Sequence, residues 1–223
     1  AEGVEVGTEL VWKHTEQHAV PVCFVVNKMD NEHADFETTL GKLRARFGAG
    51  AVPVQIPIKH GPQFDTIIDL LAMKMYTIAQ DGSGKSTTAE IPADKMADAT
   101  AAREELIEKI AESSEDLMTA FFEHGTLTDE EIVTGLRGAI LSRTLYPVMA
   151  TAATQNIGVT QMLDFAAAYC PAPTDRAAVQ GVKPDTDTPV SVAPTAAAEP
   201  VLFVFKTLSE APVGALSLFR VYS

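Results

Sequence analysis

Pro21-Val22-Cys23-Phe24-Val25-Val26-Asn27-Lys28-Met29-Asp30 runs from an apolar stretch straight into a polar tetrad. The apolar half has the length and composition of a buried strand, and the tetrad begins where that strand ends. In open α/β sheets, ligands bind outside the carboxyl ends of the strands. Asn27, Lys28 and Asp30 therefore fall where a ligand is expected. The flanks extend the pattern. Residues 8–18 read as a helix with Leu10, Val11, Trp12 and Lys13 offering an apolar side. Residues 35–47 read as a second helix, with Phe36, Leu40, Leu43 and Phe47 at helical spacing and Gly48 as its stop. Helix, strand and helix in this order point to an α/β layer structure with a parallel sheet.

The tetrad's chemistry suits one base. Guanine offers a ring N–H and an exocyclic amino group side by side, and the Asp30 carboxylate can accept from both in a paired, charge-assisted contact. Adenine lacks that pair and would leave the carboxylate unsatisfied. Asn27 can donate from its amide towards the base and brace neighbouring loops. Lys28 can lay its stem over the base plane while its ammonium stays wet, and Met29 is free to pack. Together they form N-K-x-D, the guanine-recognising pattern of GTP-binding proteins. The competing reading is a strand-end turn that happens to be rich in polar residues.

The 223 residues, 46% of them hydrophobic, suffice for one sizeable core with a smaller companion. A net charge of −13 does not suit phosphate backbones, so direct nucleic-acid binding is not expected. Cys23 and Cys170 lie in apolar surroundings and read as small buried hydrophobes in a reducing compartment. No apolar run reaches the roughly 18 residues of a membrane span, and no secretory signal opens the chain. A cytoplasmic address without membrane contact is the expectation. Both ends read as cuts through a larger protein.

Further along, residues 52–58 form a strand whose prolines suggest an edge position. Residues 64–71 and 73–78 read as two more strands, and 81–90 as a polar loop. Helices follow at 94–111, at 114–124 with Gly125 as stop, and from the capping box Thr128/Glu131 to about Ser142. The α/β pattern returns with strand 145–150, loop 151–158 and helix 159–170. Residues 171–199, rich in Pro, Ala, Thr and Asp, read as an extended linker. Strands 201–208 and 214–221 flank a turn at 209–212, a hairpin that needs a partner sheet.

Two features are decoys. His14 and His18 are four apart on a helix, but the H-E-x-x-H zinc arrangement is absent because Thr15 follows His14. Gly84-Lys85-Ser86 fits the end of a phosphate loop, but the required first glycine falls on Ala79 and no apolar-faced helix begins at Lys85.

Several passages, in order over nearly the whole chain, resemble bacterial elongation factor G, a translational GTPase. These are Gly3–Val6 with Thr8–Trp12, Pro21–Asp30, Asp69–Tyr76, Asn156–Val159 with Met162-Leu163-Asp164, and Gly214–Ser223. The resemblance implies an α/β fold: a partial, three-layer G domain of the P-loop NTPase type (1–48 and 144–172) and an inserted α+β subdomain (49–143). A linker (173–199) and the first hairpin of a β-barrel domain II (200–223) complete it. It implies GTP or GDP as ligand, with Asn27, Lys28 and Asp30 in one guanine loop and Ala152, Ala153 and Thr154 in the other. Ala153 would offer its backbone N–H to the guanine oxygen.

The intact parent would hydrolyse GTP on the ribosome to drive tRNA and mRNA translocation. Residues 94–142 would either contact the ribosomal stalk protein or merely cover the insert's own sheet. Neither catalytic residues nor metal ligands are expected in this stretch, and Mg²⁺ would be held only by the absent front half, leaving the fragment inactive. Two departures stand out. Ala152 replaces the serine whose hydroxyl buttresses the aspartate, with Thr154 as a partial substitute, and Gln155 and Ile157 replace the usual lysines. The alternatives are a ribosome- or factor-binding module without turnover, or a ribosome-protection or release-type relative.

Overall fold

The computed structural model describes residues 2–183 and 186–223. The chain divides into two compact units, Ala1–Cys170 and Pro171–Ser223. In the first, three parallel strands lie in the order β1 (Phe24–Val26), β7 (Tyr146–Ala150), β2 (Ala51–Pro53). Four antiparallel strands, β3 (Gln55–Pro57), β4 (Thr66–Asp69), β5 (Lys74–Ile78) and β6 (Ser86–Ala89), form a second sheet in chain order. Helices α1 (Val6–Gln17), α2 (Phe36–Phe47), α3 (Ala93–Ala111), α4 (Glu115–His124), α5 (Asp129–Ser142) and α6 (Val159–Tyr169) complete the unit. The mixed α/β class with a parallel sheet is as the sequence pattern predicts.

Period-two alternation builds the layers, because successive side chains of a strand point to opposite faces. Val148 and Ala150 of β7 and Ala51 of β2 join one core with Met29 and with Phe36, Leu40, Leu43 and Phe47 of α2. Their neighbours Met149 and Val52 join the other, with Leu106 and Ile110 of α3, Leu136 and Ile140 of α5, and Phe165 of α6. Strand β4 repeats the split, Ile67 to the first core and Ile68 to the second. The two sheets therefore share both cores.

The single strand expected over 52–58 is two strands, and Val54 is the joint. Its N–H donates to the carbonyl of Val148 at 3.1 Å, and its carbonyl accepts from Leu70 N–H at 3.1 Å, one partner in each sheet. Pro53 and Pro57, which lack a ladder donor, each end a strand that is outermost in its sheet, so the edge expectation holds. Pro147 sits in the central strand, but β1 pairing begins one residue later, with Phe24 opposite Val148.

Residues 86–89, expected as loop, form the outer strand β6, paired Ser86 to Ile78 and Ala89 to Met75. All four are exposed, so no hydrophobic alternation marked them. On α1, Leu10 and Val11 are 53% and 63% exposed rather than packed. Trp12 alone turns inward, its ring 4.6 Å from Phe47 and 5.9 Å from Phe24, because three-residue β1 offers little surface to cover. The capping box at Thr128 is formed in full: Glu131 N–H donates to the Thr128 hydroxyl and the Glu131 carboxylate accepts from Thr128 N–H.

In the second unit, β8 (Val179–Val182) pairs antiparallel with β9 (Pro189–Val192), where composition alone predicts extended chain. Paired backbone, rather than side-chain burial, holds these short strands. Strands β10 (Leu202–Glu210) and β11 (Gly214–Val221) form the expected hairpin, with a bulge between Val204 and Lys206. Strand β10 runs on to Glu210, so the turn is shorter than expected. Among the described residues, no helix is long and apolar enough to cross a membrane.

Candidate functional site

The two loops expected to face guanine meet at the carboxyl ends of β1 and β7. Strand pairing runs one step beyond β7, with Thr151 N–H donating to Val26 C=O at 2.9 Å, and then Met29 N–H donates to Thr151 C=O at 3.1 Å. Met29 is fully buried in the first core and anchors its loop, as its free position in the tetrad implied. With Met29 pinned, Lys28 adopts a left-handed conformation (φ 62°) and is exposed together with Asn27.

Asn27 is the brace between the loops. Its Oδ1 accepts from Ala153 N–H at 3.0 Å and from the Thr151 hydroxyl at 3.2 Å. Two expectations meet this geometry. The Ala153 N–H, expected to meet the base oxygen, is donated to Asn27. The hydroxyl that stiffens the pair belongs to Thr151, 1% exposed, while Thr154, expected to compensate for Ala152, is exposed. Thr151 lies one position before the aligned serine, and a motif matched column by column does not reveal it. Ala152 is fully buried in the first core, where a methyl group fits without a polar partner.

Asp30 is half-buried and lines a cavity of about 310 Å³ with Pro62, Phe64, Gln80, Gln155 and Ile157. That volume is at the lower end of small-molecule sites and suits a planar base. One carboxylate acceptor among two carboxamides and apolar walls suits the donors of a base edge better than phosphate oxygens, which only accept. Pro62, Phe64 and Gln80 come from the segments around the second sheet, and nothing in the tetrad signalled them.

The loop closes on itself. Ala152 and Ile157 exchange backbone bonds at 3.0 and 3.1 Å, and Asn156 takes a left-handed turn (φ 55°) between them. Gly158 then enters α6 at φ 75°, where a Cβ would stand 2.7 Å from the carbonyl oxygen of Ala150. Only glycine lets the chain return this closely over the end of β7.

The decoys resolve structurally. Gly84 and Lys85 lead into β6, not into a helix N-terminus. His14 on α1 and His18 just past its end are both exposed, and among the described residues no group of three or more His, Cys, Asp or Glu is placed to hold a metal ion. Cys23 and Cys170 are half-buried with their sulfurs 3.7 Å apart. The hydrogen bond from Cys23 draws the Cys170 thiol down to about 7, while the same contact, together with burial, pushes Cys23 up.

The family model described as "Elongation factor Tu GTP binding domain" matches residues 1–172. A crystal structure of a protein from Thermus thermophilus is similar over 99% of this chain, with a TM-score of 0.80 and 28% sequence identity. The chain spans 30% of the length of that solved relative.

Proposed function

The chain belongs to the family of elongation factor Tu GTP-binding domains, and from that premise we propose that it carries the guanine-reading side of a translational GTPase of the elongation factor G type. Asp30 accepts the paired donors of guanine. Lys28 covers the base plane, and Asn27 locks the second loop, Ala152-Ala153-Thr154, against the first. The observation that carries this reading is the tie between the loops, Ala153 N–H to Asn27 Oδ1 at 3.0 Å, beside a cavity that Asp30 lines. Residues 1–48 and 144–172 make up the G-domain portion, 49–143 the insert, 173–199 the linker and 200–223 the start of a β-barrel domain.

The nucleotide's phosphates and Mg²⁺ are assigned to parts of the parent outside these 223 residues, and so is hydrolysis. Bound GTP supplies the energy of phosphoryl transfer to the parent, which would use it for translocation on the ribosome in the cytoplasm. Residues of this chain select the base, exclude adenine and hold the base edge. A stalk-protein contact on 94–142 is supported by Phe122, 79% exposed on a helix without a buried residue. A Phe122→Ala variant that binds the stalk protein as tightly as wild type would remove that assignment.

One residue favours a second reading, a ribosome- or factor-binding module without turnover: Ala152 lacks the hydroxyl of the family pattern. Titration of the ¹⁵N-labelled chain with millimolar GDP and ADP tests the primary reading. GDP should move the amide signals of Asp30, Ala153 and Thr154 while ADP leaves them in place. Equal responses to the two nucleotides would overturn guanine selection.

A further inference from the structure

The glycine-rich turn at 81–85 packs against the second guanine loop and the start of α6. Asn156 Nδ2 donates to Gly82 C=O at 3.1 Å. The Thr160 hydroxyl donates to Gly84 C=O at 3.4 Å, and Gln161 Nε2 to the Ser86 hydroxyl at 3.1 Å. Gly84 is buried beneath Asn156, and a Cβ there would stand 2.6 Å from Asn156 Nδ2 and 3.0 Å from its Cγ. Gly84 also has φ +70°, a conformation that side chains disfavour. The turn is shaped in advance, because the Asp81 carboxylate accepts from Ser83 N–H at 2.9 Å. Position 84 thus has no room for a side chain beneath Asn156.

From this contact we infer that the turn between β5 and β6 is a clamp that positions the Ala152–Ile157 loop for the base, with Gly84 and Asn156 as its positioning residues. The inference rests on the guanine-reading proposal and deepens it. The loop is held from both sides: Ala153 is tied to Asn27 in the G-domain portion, and Asn156 to Gly82 in the inserted sheet. Between these ties, the reciprocal bonds of Ala152 and Ile157 make the loop a closed unit, so displacement at Asn156 is transmitted to Ala153. The second sheet also supplies Gln80 to the cavity wall from the same connection. The clamp restrains a loop whose Ala152 has no hydroxyl to contribute.

Two variants of the 223-residue chain test this. Asn156→Asp keeps the shape and the tolerance for left-handed backbone but removes the Nδ2 donor. Gly84→Ala places a methyl group against Asn156 Nδ2 itself. Amide hydrogen exchange at Ala153 and Ile157 should quicken roughly fivefold in each, the factor given by one lost hydrogen bond, while exchange in β7 stays as in wild type. GDP affinity, read from the same amide signals, should weaken by a similar factor. Unchanged exchange at Ala153 and Ile157 in both variants overturns the clamp, and so does quickened exchange with unchanged GDP affinity. Where Gly84→Ala loosens β7 as well, the isosteric Asn156→Asp variant decides. A wild-type chain indifferent to GDP overturns the guanine reading and the nucleotide half of this inference, and the exchange data still judge the clamp itself.

Discussion

Replacing Asn27 by alanine should destabilise the first unit by about 2 kcal/mol, and most of the loss should pass through Thr151. The side-chain oxygen of Asn27 accepts from Ala153 N–H at 3.0 Å and from the Thr151 hydroxyl at 3.2 Å. Ala153 is exposed, so water takes over its bond and the net loss there is at most about 1 kcal/mol. Thr151 is 1% exposed, and stranding its hydroxyl adds about 1–3 kcal/mol. Trp12, the single tryptophan, packs against both Phe24 and Phe47 and reports this unit by fluorescence during urea unfolding. With a urea slope of about 2 kcal/mol/M, the midpoint should fall by about 1 M with the slope unchanged. A double-mutant cycle isolates the cause. Thr151→Val should cost about 1 kcal/mol in wild type and restore about 1 kcal/mol after Asn27→Ala, since the stranded hydroxyl is then gone. An equal cost of Thr151→Val in both backgrounds would refute the assigned coupling.

Other consequences can be checked independently. Asp35 caps α2 by accepting from Thr38 N–H at 2.6 Å, which holds its carboxyl below the ordinary aspartate value. A depressed carboxyl contributes stability above its unfolded pKa and loses it on acidification. The gap between wild type and Asp35→Ala should therefore be full at neutral pH and close as pH falls through about 3.9 and below, measured by urea midpoints across pH. Cys170, with its thiol near 7, should be alkylated by iodoacetamide with a rate midpoint near pH 7, and Cys23→Ala should move that midpoint up towards an ordinary thiol. A midpoint unmoved by Cys23→Ala would show that the 3.7 Å sulfur contact does not set the reactivity.

Long periodic elements and the strand-to-tetrad junction were legible in the residues. The α2 stripe Phe36, Leu40, Leu43 and Phe47, the Thr128 capping box and the Gly125 stop are local signals that tertiary packing reinforces. Strand β6 escaped because exposed Ser and Thr carry no alternation, and β2 merged with β3 because the break at Val54 lies in its hydrogen-bond partners, not in its side chain. In the site, Asn27, Lys28 and Asp30 are contiguous and could be read as a motif. Thr151 lies 124 positions from Asn27, and Asn156 and Gln80 join the site through contacts that no local pattern encodes. The donation of Ala153 N–H to Asn27 depends on the meeting of two loops and became visible only in three dimensions.

Asp30→Asn gives the most direct test of whether this pocket reads guanine. Asparagine offers one acceptor and one donor where aspartate offers two acceptors, which suits xanthine, with its carbonyl in place of the guanine amino group. In parallel titrations of the labelled chain with GDP and xanthosine diphosphate, wild type should respond to GDP and the variant to the xanthine nucleotide. A variant that still prefers GDP would contradict the role given to Asp30 and the function built on it.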